Sequence, residues 1–77
     1  MRTRLTLRGS RNAVSEFATL IRGLHKPLQV SRIGPPVNKR YEVTLRGPVS
    51  YATDEYSEDF IRRAKDVGCE LLEVRAG

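Results

Sequence analysis

Apolar and polar positions alternate from Arg2 to Arg8. Thr3, Leu5 and Leu7 share one side, and Arg2, Arg4, Thr6 and Arg8 share the other. A period of two with one apolar side predicts a half-buried strand. Gly9 ends the pattern, and Ser10 suits a helix N-cap, where its hydroxyl accepts from the free amides of the first turn. Val14, Phe17, Ala18, Ile21 and Leu24 then recur at helical spacing, with Leu20 widening the stripe. Gly23 and Pro27 are expected to bound that helix. Residues 28–33 predict a second strand with Leu28 and Val30 on one side. The prolines of the next stretch, residues 34–38, cannot donate to a ladder and mark a loop. Arg40 to Arg46 alternates again, Tyr41, Val43 and Leu45 against Arg40, Glu42, Thr44 and Arg46.

Gly47-Pro48 breaks this third strand, and residues 49–53 form a connection containing Tyr51. A second helix is expected to start with Asp54 or Ser57 as its cap. Tyr56, Phe60, Ala64 and Val67 lie along its buried side with Ile61 beside them. Its early acids, Asp54, Glu55, Glu58 and Asp59, suit the positive end of a helix dipole. Gly68 fits the C′ position. Residues 69–75 complete the chain as a strand with Leu72 and Val74 expected toward the core. The order β-α-β-β-α-β resembles the ferredoxin-like split βαβ fold over essentially the whole chain. That resemblance implies an α+β domain: a four-stranded antiparallel sheet in order 4-1-3-2 with both helices on one face. One polar sheet face is then left open. Seventy-seven residues predict a single domain, residues 1–77.

Charge sharpens this picture through its distribution. Residues 1–49 carry ten Lys/Arg and two acids, a net +8, whereas residues 50–77 carry four and seven, a net −3. Such asymmetry points to a polyanionic partner or to pairing between the halves. In the expected topology the end of strand one, the start of helix one and the strand two–three loop meet at one rim. That rim gathers Arg8, Arg11, Arg32, Lys39 and Arg40, with Asn12 and Asn38 as neutral hydrogen-bonding groups. Basic side chains beside a helix N-terminus suit phosphate. Asp66 and Glu70 are the acids expected nearby. Two uses of the rim stay open: an anion site, or a solvated edge that keeps a small domain dissolved.

The open sheet face is a second candidate, expected to carry Arg2, Arg4, Arg8, Arg40 and Arg46 among Glu42, Glu73 and Arg75, with Arg4 paired to Glu42 or Glu73. The RNA-recognition motif shares the fold and stacks bases on aromatics of strands one and three. Here strand one has no aromatic and Tyr41 falls on the core side. Base stacking on this face is therefore excluded, while phosphate contact is not.

Ser31, Arg32, Pro35 or Pro36, Asn38 and Lys39/Arg40 also form a hairpin that resembles one in a group of small uncharacterised proteins of bacteria and their phages. The aromatic between the prolines of that group is missing here. The resemblance covers about two thirds of the chain and implies a small accessory protein.

Enzymatic chemistry finds little support. His25 is the only histidine and Cys69 the only cysteine, so no His-paired metal site, triad with a spare or dithiol exists. His25 is expected to bond free carbonyls at its helix end, and Cys69 to be a buried thiol. No glycine-rich nucleotide cradle occurs, and no cofactor is expected. Tyr51 and Tyr56 suit core packing. A lone cysteine and no apolar leader or membrane-length run predict a reducing, cytoplasmic setting. The residues together predict a non-enzymatic module that holds nucleic acid through the basic rim. The alternative is a protein-interaction module, either an inhibitor or regulator docking on an acidic partner or a homodimer through edge strand two.

Overall fold

The computed structural model describes residues 1–77 as β1 (Arg2–Arg8), α1 (Arg11–Leu24), β2 (Gln29–Ile33), β3 (Arg40–Arg46), α2 (Asp54–Asp66) and β4 (Glu70–Ala76). The strands form one antiparallel sheet in the order β2-β3-β1-β4, the expected arrangement counted from the other edge. Both helices cover one face. Leu5, Leu7, Val43 and Leu45 meet Val14, Phe17, Ile21, Phe60 and Ala64 there in one buried cluster. Phe17 and Phe60 join the helices edge to face, with ring centroids 6.2 Å apart.

The helix ends differ in detail from the sequence reading. Ser10 Oγ accepts from the Ala13 amide at 3.1 Å, as expected. The cap of α2 is Thr53 rather than Asp54 or Ser57; its hydroxyl accepts from the Tyr56 amide, and Asp54 and Glu55 fill the first turn. Gly23 does not end α1, which runs through Leu24 to its cap His25. Leu24, expected in the apolar stripe, is half exposed at 50%. Gly68 takes a positive φ of 84° just past α2, as a C′ residue does.

β4 corrects the predicted alternation. Leu71 stands opposite Leu7 and Glu73 opposite Thr6, so Leu72 is the extra residue of a bulge. Leu71 and Val74 pack against the core, and Leu72 turns outward. A one-residue insertion shifts the parity on one side of the bulge, which is why counting from Val74 put the wrong leucine inside.

His25 is also placed differently. Its Nε2 donates to Asp59 Oδ2 at 2.6 Å, across the junction of the helices, and its ring lies edge-on to Tyr56 and Phe60. Arg62 donates to the other Asp59 oxygen at 3.0 Å, and Arg63 stands 3.4 Å from it. Burial raises the Asp59 pKa, but the His25 and Arg62 hydrogen bonds and the nearby Arg63 outweigh it and hold the carboxyl below its ordinary 3.8. Tyr51 is buried against Tyr56, and its backbone N–H donates to Thr3 Oγ1 at 3.0 Å, which satisfies the one buried polar side chain of β1.

A depressed folded-state pKa adds stability above the ordinary carboxylate value and loses it as pH falls through the depressed one. Asp59→Asn is therefore expected to flatten the fall in urea midpoint as pH drops through and below the ordinary carboxylate range. An acid limb as steep as in the parent chain would count against this pairing.

A Cβ at Gly47 would lie 2.6 Å from Tyr51 Cε2 and 2.8 Å from Cζ, whereas one at exposed Gly23 meets nothing within 4 Å. Gly47→Ala is expected to cost about 1–3 kcal/mol by overpacking. Gly23→Ala is expected to gain about 0.5–1 kcal/mol from helix propensity. Denaturant titration of the two variants reads both signs.

Candidate functional site

The predicted rim, apart from Arg32, assembles at one end of the molecule. Arg8 and Arg40 are ladder partners, and the Gly9 amide reaches the Lys39 carbonyl at a long 3.5 Å. The Pro35-Pro36 loop and the start of α1 share a cavity lined by Arg11 and Ser15, so the loop and the Ser10 cap stand together. Arg11, Asn12, Asn38, Lys39 and Arg40 are all exposed there. Arg8 is committed to an ion pair with Glu70.

The hairpin tip has a definite geometry. Val37 and Arg40 exchange both backbone hydrogen bonds, at 2.9 and 3.0 Å, around Asn38 (φ 52°) and Lys39 (φ 63°). Two central residues with positive φ make a type I′ turn, whose second position glycine normally fills. Lysine there costs backbone strain and puts a cation at the outermost point of the rim.

Arg32 departs from the rim. In β2, Val30 pairs with Leu45 and Arg32 with Thr44, so Ser31 is an extra, bulged residue. A regular strand would put Arg32 on the same side as Val30, toward the helices. The bulge instead gives it the parity of Thr44, on the open face.

That face now reads in rows. Arg2 stands opposite Arg46; Arg4 lies between Thr44 and Arg75, with Arg32 beyond Thr44; Thr6 lies between Glu42 and Glu73; Arg8 lies between Arg40 and Glu70. The acids are occupied. Arg75 reaches Glu73 at 2.9 Å and Glu42 at 3.4 Å, and Arg8 holds Glu70. Arg4 therefore does not pair with Glu42 or Glu73 as the sequence suggested, because Arg75 beside it takes both. Arg2, Arg4, Arg32 and Arg46 have no acid within 4.0 Å, and together with Thr44 and Glu42, whose carboxylate Arg75 engages, they line a groove of about 580 Å³ walled by the hairpin loop. Arg4 is half-buried in it.

Four guanidinium groups in one groove offer forked donors suited to phosphate oxygens. Of the other polar groups in the groove, the Ser31 hydroxyl donates to the Thr44 carbonyl at 3.4 Å and Glu42 is engaged by Arg75. Elsewhere the Cys69 thiol is buried, and burial raises its pKa, which suppresses the thiolate. No cluster of three or more His, Cys, Asp or Glu side chains could hold a metal ion, and no helix is long and apolar enough to cross a membrane.

Sequence reasoning had named Arg2, Arg4 and Arg46 on this face but placed Arg32 at the rim. Neither the Ser31 bulge nor the choice of partner by Arg75 leaves a signal in composition or spacing. No protein-family model matches the chain, and no curated protein matches it.

Replacing Lys39 by glycine relieves the turn. Lys39→Gly is expected to raise stability by about 1 kcal/mol in denaturant titration, with an unchanged slope. A neutral or negative effect would mean that the turn does not carry this strain.

Proposed function

We propose that the chain is a small non-enzymatic module that holds the phosphate backbone of nucleic acid. The contact surface is a basic band that starts at the hairpin rim, with Arg11, Lys39 and Arg40, and continues into the groove of Arg2, Arg4, Arg32 and Arg46. Asn12 and Asn38 flank the rim as orienting hydrogen-bond groups, and Arg8 contributes to the field while bound to Glu70. One observation carries this reading: every acid on the open face, including Glu42 in the groove itself, is held by Arg75 or Arg8, whereas the four arginines sharing that groove have no acid within 4.0 Å. Unneutralised arginines in proximity repel one another, and a polyanion relieves that repulsion while releasing its own counterions. Contacts of this kind position a backbone without reading sequence. A role as an accessory protein of a bacterium or phage, as the hairpin resemblance implies, is compatible with such a module.

A second reading has its own support. β2 is an edge strand with Ile33 exposed at 39% and Val37 at 68% beside it, which suits strand addition by an acidic protein partner or a second copy.

Titration with single-stranded and duplex oligonucleotides at several salt concentrations tests the first reading. Affinity is expected to fall steeply with salt, and Arg4→Glu with Arg32→Glu to lower the log–log slope by about 2 and the affinity at least tenfold. Lys39→Gly should lower the slope by about 1. Affinity indifferent to these reversals overturns the phosphate contact. A copurifying partner that survives both nuclease and the reversals favours the second reading.

A further inference from the structure

We infer that the cavity beneath the Pro35-Pro36 loop receives one unstacked base of a single-stranded nucleic acid whose neighbouring phosphates lie in the arginine groove. This rests on the proposed phosphate contact and names the class of nucleic acid that the surface takes.

The cavity lies on the helix side of the sheet and measures about 380 Å³, near the lower end of the roughly 300–1,000 Å³ typical of small-ligand pockets. Its apolar walls are the half-buried Tyr41 ring, Ile33 and the two prolines; Arg11 and Ser15 stand at its mouth. No acid lines it. A nucleobase has the matching anatomy. Its π-faces suit tyrosine, proline and guanidinium surfaces, and its polar edges suit a guanidinium and a hydroxyl. Base stacking is excluded on the open sheet face, but the third-strand aromatic is available on the opposite side.

Cavity and groove are neighbours. Gly34 and Pro35 line both, so the loop is the partition between them. β2 is the sheet edge, and a strand passing over Gly34 from one face to the other meets no further β-strand. The partition is held at both ends: the Gly34 amide donates to the Glu42 carbonyl at 2.8 Å, and the Val37–Arg40 turn closes the other side. Two prolines between these anchors leave little loop freedom to lose on binding. A duplex keeps its bases stacked inside and cannot fill the cavity without extruding one.

The test uses three probes at one salt concentration: an oligodeoxythymidylate, the same strand built from abasic sites, and a duplex of equal length. The intact strand is expected to bind about tenfold more tightly than the abasic one. Tyr41→Leu, and independently Ser15→Phe, which fills the mouth from an exposed helix position, should reduce the intact strand to the abasic level with the salt slope unchanged. Tyr41→Phe should retain tight binding, and base stacking should quench the tyrosine fluorescence that Tyr41→Phe removes. Equal binding of intact and abasic strands, with a steep salt slope, overturns the base pocket and leaves the phosphate contact standing. Binding of none of the three probes at low salt overturns both.

Discussion

Two-residue alternation in β1 is the constraint on which the rest of the molecule depends. The strand is hydrogen-bonded on both sides, to β3 and to β4, so its register is fixed twice. One side of it buries Thr3, Leu5 and Leu7, and the same backbone geometry commits Arg2, Arg4, Thr6 and Arg8 to the opposite face. A slip of one residue would drive arginines among the apolar side chains, where an unpaired charge is costly to desolvate. The hydrophobic core and the cationic face are therefore two readings of one periodicity. Losing one means losing the other.

Bulges then adjust what the alternation lays down. The extra residue at Ser31 moves Arg32 to the open face while Val30 and Ile33 keep facing the helices through Leu45 and Val43. The extra residue at Leu72 lets Leu71 and Val74 both reach the core and leaves Glu73 opposite Thr6, beside Arg75. Each bulge lies on an edge strand, where an irregular ladder also discourages adventitious pairing. The charge pattern follows from these placements: Arg75 on β4 reaches Glu73 beside it and Glu42 across on β3, Arg8 holds Glu70, and Arg2, Arg4, Arg32 and Arg46 are left without acidic partners.

Much of this was legible in the residues. The alternation of β1 and β3, the stripes of both helices, the Ser10 cap and the Gly68 stop rest on local chemistry, and the element order then implied the sheet order. Parity was legible only where strands are regular, so Leu72 and Arg32 were misplaced. Thr53, Asp54 and Ser57 are all competent caps, so residue chemistry alone does not choose among them. His25 and Asp59 are 34 residues apart, and their pairing exists only once the helices have packed. Nor could spacing show that Arg75, rather than Arg4, would take both Glu42 and Glu73. For the candidate site, the cluster of cations at one end was readable, but the identity of the unpaired ones was not.

The close approach of Gly9 to Cys69 has a practical side. A Cβ at Gly9 would lie 2.8 Å from that of Cys69, so the strand end lies directly over the residue that carries the sulfur. With the thiol buried and its ionisation suppressed, the native cysteine is a poor target for maleimide chemistry. A cysteine introduced at the exposed hairpin tip would react well ahead of it. The molecule thus accepts a dye or spin label beside its arginines without first being made cysteine-free.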